Sequence, residues 1–103
     1  GGLDVQGSSL IVSNSCIDGN RAAKRGGGVF AIETSSITLS LRATVHGNIA
    51  NGDGGGVHLQ KSTLIVSSSS INYNSGKLGG GVYGFGSSSI ILNLGASVNA
   101  NKA

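Results

Sequence analysis

Apolar and polar positions alternate along this chain in short runs with the period of a β-strand. The runs come in sets of three. The first run of each set reads Leu3-Asp4-Val5, Val29-Phe30-Ala31, Val57-His58-Leu59 and Val82-Tyr83-Gly84. The second reads Ser9-Leu10-Ile11-Val12, Ser36-Ile37-Thr38-Leu39, Thr63-Leu64-Ile65-Val66 and Ser89-Ile90-Ile91-Leu92. The third is a short closer around Ile17, Val45, Ile71 and Val98. β-Branched residues dominate the second run, as strands favour. No run has a helical period, and serine, glycine and β-branched residues all disfavour a helix.

Alternation assigns the facing of each position. Leu3, Val29, Val57 and Val82 form one inward column, and Val5, Ala31, Leu59 and Gly84 the next. Leu10, Ile37, Leu64 and Ile90, then Val12, Leu39, Val66 and Leu92, follow in the second run. Ile17, Val45, Ile71 and Val98 complete a triangular section. Asp4, Phe30, His58 and Tyr83 point outward and share no chemistry, which a solvent face permits.

Each set is framed by the same phrase. The openers are Gly1-Gly2-Leu3, Gly26-Gly27-Gly28-Val29, Gly54-Gly55-Gly56-Val57 and Gly79-Gly80-Gly81-Val82. The closers are Ile17-Asp18-Gly19-Asn20, Val45-His46-Gly47-Asn48, Ile71-Asn72-Tyr73-Asn74 and Val98-Asn99-Ala100-Asn101. Successive openers lie 26, 28 and 25 residues apart, and successive closers 28, 26 and 27. A period that steady marks stacked repeats in which each coil buries its neighbour. The expectation is an all-β, right-handed parallel β-helix (β-solenoid) of about four coils, residues 1–25, 26–53, 54–78 and 79–103. Those coils form a single repeat array, expected to be a piece of a longer protein or assembly.

Composition fits a thin core. The 103 residues are 38% hydrophobic and 11% charged, with 19 glycines and no proline. Glycine and serine without a period would suggest disorder. Here they fall at fixed offsets, where coils turn. Glycine takes the positive φ of a corner without strain. Asn20, Asn48, Asn74 and Asn101 would stack as a structural ladder, passing amide hydrogen bonds from coil to coil. Ser8, Ser9, Ser35, Ser36, Ser62, Ser87, Ser88 and Ser89 read as turn formers.

The Gly-Gly opener paired with the aliphatic-x-x-Asn closer resembles the repeats of the chlamydial polymorphic membrane proteins. The likeness spans all four repeats. It departs from that pattern in carrying a third glycine where the family has alanine, and isoleucine or valine where the closer has phenylalanine. The resemblance implies an autotransporter passenger-like β-helix at a cell surface, with adhesion as its analogue function.

Chemistry is sparse. The acids Asp4, Asp18, Glu33 and Asp53 fall in different columns, so no paired-carboxylate site is expected. His46 and His58 lie in different columns and read as exposed loop histidines, with no zinc spacing. The glycine triplets lack the lysine-serine tail and helix of a phosphate loop, and calcium-binding nonapeptides need a regular aspartate that is missing. No catalytic, cofactor or metal site is therefore expected, and the chain reads as no enzyme. A fragment of a β-helical carbohydrate-active enzyme is the outlying alternative. Ice binding needs a flat, regular array such as threonine columns, and the outward columns are mixed. Cys16 is the single cysteine, and no apolar stretch reaches the roughly 18 residues of a membrane span.

A mild net charge of +3 does not call for nucleic acid, and no aromatic platform accompanies it. The basic residues do cluster after the asparagines: Arg21, Lys24 and Arg25, then Lys77, then Lys102. Stacked coils would gather them on one edge, a candidate ridge for anionic polysaccharide, lipid headgroups or glycosaminoglycan. The competing reading is solvated lysines that keep an edge soluble and unpaired. The expected role is an adhesive or spacer segment of an extracellular or cell-surface protein. The alternative is a filament subunit that stacks end to end on copies of itself, because neither end of the array carries a cap.

Overall fold

The computed structural model describes residues 1–93, 95–99 and 101. Among them there is no helix, and parallel sheets stack into a β-solenoid. The first sheet is built from β1 (Leu3–Gln6), β5 (Val29–Ile32), β9 (Val57–Gln60) and β12 (Val82–Phe85), in that order. The second runs β2 (Ser9–Ser13), β6 (Ser36–Ser40), β10 (Thr63–Ser67) and β13 (Ser89–Asn93). The third runs β3 (Cys16–Asp18), β7 (Thr44–His46), β11 (Ser70–Asn72) and β14 (Ser97–Asn99).

Pairing follows the sequence columns. Leu3 faces Val29, Val29 faces Val57, and Val57 faces Val82. Leu10, Ile37, Leu64 and Ile90 share a second column, and Ile17, Val45, Ile71 and Val98 a third. The interior is dry at mid-array, where Val29, Ile37, Leu39, Val45, Val57, Leu59, Leu64, Val66 and Ile71 have no exposed surface. The same columns open toward the last rung, with Ile90 at 45% and Leu92 at 51% exposure.

A fourth, two-stranded sheet was not expected. It pairs β4 (Arg21–Ala22) with β8 (Ile49–Ala50), and single bridges Ile49–Ser75 and Asp53–Leu78 extend it. The segments after Asn20 and Asn48 are thus partly strand, where the sequence reads as loop. Two-residue strands are too short to show alternation.

The glycine triplets do two jobs. Gly54 has φ 66°, the left-handed corner that glycine takes freely. Gly55 is there for proximity: a Cβ on it would lie 2.3 Å from the Ser75 carbonyl oxygen and 2.4 Å from that of Gly80. Three backbones meet at that point.

Candidate functional site

Three arrangements of polar and aromatic side chains follow the stacking. The first is the asparagine file. The Asn48 side-chain oxygen accepts the backbone N–H and the Nδ2–H of Asn20, both at 3.0 Å. Asn74 does the same for Asn48 at 2.9 and 3.0 Å, and Asn101 for Asn74 at 2.9 and 3.0 Å. Each Nδ2 also reaches back one rung: Asn48 donates to the Ile17 carbonyl, Asn74 to Val45 and Asn101 to Ile71, all at 2.9 Å. Asn48 and Asn74 are buried. Their amides are spent on the backbone, which makes the file a fastening.

A second file lies in the first turn. The Ser35 N–H donates to Ser62 Oγ at 3.1 Å, Ser62 N–H to Ser88 Oγ at 3.3 Å, and Ser8 N–H to Ser35 Oγ at 3.4 Å. These serines do more than form turns: they replace missing strand pairing between rungs. Their spacing is 27, 27 and 26 residues, and Ser13, Ser40 and Ser67 share its 27-residue steps, so nothing in the sequence singles these serines out.

The basic residues lie along the fourth sheet. Arg21, on β4, is exposed, as are Lys24 and Lys77. The Gly52 N–H donates to the Lys24 carbonyl, and the Lys77 N–H to that of Gly52, so the two lysines share a backbone column with Gly52 between them. Two rungs put them about 10 Å apart. Arg25 approaches Asp53 at 4.0 Å, half exposed, so its charge is partly offset within the protein. Lys102 lies outside the described residues.

The third arrangement overturns one expectation. His58 is fully buried, on β9, and is no exposed loop histidine. Phe30 stacks on one side of its ring at 5.2 Å and Tyr83 on the other at 5.4 Å. The outward column therefore does share a chemistry: three of its members are flat rings. Neither imidazole nitrogen has a hydrogen-bond partner among the described residues. Burial pushes the His58 pKa below its ordinary 6.5, Arg25 pushes it further the same way, and Asp53 opposes both. The neutral form is therefore the folded form. His46, by contrast, is exposed at the end of β7 and meets Tyr73 edge-on at 5.2 Å.

The acids lie apart. Asp4 is on β1 and Asp18 on β3. Glu33 accepts from Gln6 Nε2 at 2.8 Å, and Asp53 faces Arg25. Among the described residues no three His, Cys, Asp or Glu side chains gather around a point, and no helix is long and apolar enough to cross a membrane. No family model, curated protein or solved structure matches the chain.

Proposed function

We propose that this chain is a non-enzymatic repeat segment of an extracellular or cell-surface protein, a right-handed β-helix of four coils that serves as a rigid spacer with an adhesive edge. The right hand is the one that parallel crossovers take almost without exception. The observation that carries the reading is the unbroken register. The columns of Val29 and Val57 and the asparagine file run through successive rungs without a slip. An array fastened so regularly holds its edge groups at a fixed pitch. The likeness to chlamydial surface repeats agrees with that role.

The adhesive edge is the fourth sheet, where Arg21, Lys24 and Lys77 stand exposed. Its ligand is an anionic polysaccharide, held by charge and released by salt. The test is retention on a sulfated polysaccharide column. The variant Arg21→Gln/Lys24→Gln/Arg25→Gln should elute at clearly lower salt than the parent. Equal elution would remove the adhesive half of the proposal.

A further inference from the structure

We propose that the outward face of the second sheet is an ice-binding surface, a function beyond the spacer role. Mixed outward columns speak against ice binding on the molecule as a whole. The charged and aromatic outward residues fall on the other two large sheets, which turn Asp4, Phe30 and Tyr83, or Cys16, Asp18 and His46, outward. The second sheet is different. Ser9, Ser36, Thr63 and Ser89 form its first outward column. Ile11, Thr38, Ile65 and Ile91 form the middle one. Ser13 beside Ser40 and Ser67 beside Asn93 form the third.

The columns vary in residue type but are uniform in the properties that bear on ordered water. None of the residues of β2, β6, β10 and β13 is charged. The outward side chains are short, and those of the middle column are all β-branched, with few rotamers to lose. The first-column hydroxyls and that of Thr38 make no hydrogen bond to the protein among the described residues, which leaves donors and acceptors for water. The middle column is exposed at its end rungs, Ile11 at 70% and Ile91 at 43%, and half-buried at Thr38 and Ile65 between them. Rungs repeat at about 4.8 Å and same-face side chains along a strand at about 6.6 Å, so hydroxyls and methyls form a two-dimensional grid. Apolar groups order the first water shell and hydroxyls anchor it. On a fixed grid without charges, that shell can join a crystal of water.

Other occupants fit less well. Crystalline polysaccharide is gripped by aromatic rings, and this face carries none. An ionic partner needs charge. A second copy would bury on the order of 300 Å² per face at strand dimensions, well below the roughly 800 Å² per partner of a stable interface.

The test is partition of the 103-residue chain into slowly growing ice, together with microscopy of crystal shape. The chain should be enriched in the ice and should facet the crystals, while a non-binding protein of similar size is excluded. Thr38→Lys places a charge at the centre of the grid and should abolish both effects, with circular dichroism and melting temperature unchanged. His46→Lys places the same charge on the third sheet and should leave both intact. Ile11→Lys repeats the experiment should Thr38→Lys fail to fold. Exclusion of the parent chain from ice, or equal behaviour of Thr38→Lys and His46→Lys, overturns the proposal. So does a dimer in sedimentation that Thr38→Lys dissociates, because the face would then belong to a second copy.

Discussion

Phe30 and His58 lie ring over ring, centroids 5.2 Å apart and planes 24° from parallel, one rung separating them. Tyr83 extends the stack by another rung. The glycine corners close against it: a Cβ on Gly26 would sit 2.8 Å from Phe30 Cβ, and one on Gly54 2.9 Å from His58 Cβ. The first sheet is thus covered on both faces at mid-array, as parallel sheets commonly are. Each ring pair adds about 1 kcal/mol beyond the area it buries. Arg25 and Asp53, beside these corners, are the charges that bear on the buried imidazole.

That burial gives the fold a pH dependence of known sign. The folded-state pKa of His58 lies below 6.5, the value the unfolded chain has. As pH falls through 6.5 the unfolded chain takes up the proton first. Stability from this residue is therefore complete above pH 6.5 and is lost progressively below it. The melting temperature should fall between pH 7 and pH 5. His58→Phe keeps the stack and removes the proton, so its melting temperature should change less over the same range. Parallel curves for the two proteins would show that His58 is not the group responsible.

Asn48→Ala is the sharpest test of the amide file. The substitution leaves the Asn20 N–H and Nδ2–H without their acceptor and the Ile17 carbonyl without its donor. Two of these groups are on the backbone, and Asn48 itself is fully buried. Unsatisfied buried polar groups cost about 1–3 kcal/mol each, so a loss of about 3 kcal/mol is expected. Urea denaturation measures it. Asn20→Ala should cost less, since Asn20 is half-buried and lies at the first rung. Equal losses would mean that the file is not cooperative with burial.

The inward columns were legible because two periods agree. Strand alternation sets the facing of Val29 and Ala31, and the recurring Gly-Gly-x phrase sets which rung each belongs to. Together they place Val57 beside Val82 with no freedom to slip, since a one-residue shift would turn every side chain inside out. The burial of His58 was not legible. Alternation says only that it points away from the core, and the path of the glycine corners over it has no period to read. The turns were hidden too. Three residues, Leu41, Arg42 and Ala43, join Ser40 to Thr44, where Asn14 and Ser15 suffice between Ser13 and Cys16. Leu41 at φ 52° and Arg42 at φ 63° absorb the extra residue in a left-handed conformation that neither residue type advertises.

Ile71→Asp tests the facing assigned to the third column. Ile71 has no exposed surface and packs in the central cluster, where a carboxylate finds neither water nor a partner. Burying an unpaired charge is among the few changes large enough to exceed the stability of a small domain. Loss of the cooperative thermal transition is expected. Ile11→Asp, on a side chain 70% exposed, should retain it. A folded Ile71→Asp protein would require the third run to face the other way.

Gly55→Ala separates the two roles of the glycine triplets. Gly55 has an ordinary φ, so alanine meets no conformational penalty there, and its methyl group even lowers the entropy of the unfolded chain. The obstacle is steric. The new Cβ would press on the carbonyl oxygens of Ser75 and Gly80 at 2.3 and 2.4 Å, both backbone atoms fixed by rung pairing. The backbone must part to admit it, at a cost of roughly 3 kcal/mol, the upper end of what overpacked sites typically lose. Gly19→Ala is the counterpart. Gly19 has φ 64° and open space around it, so its cost is the left-handed conformation alone, about 1 kcal/mol. Thermal melts of the two variants should therefore separate widely, Gly55→Ala falling further. The reverse order would mean that rung spacing relaxes easily at the triplet and that corner geometry, more than backbone proximity, demands its glycines.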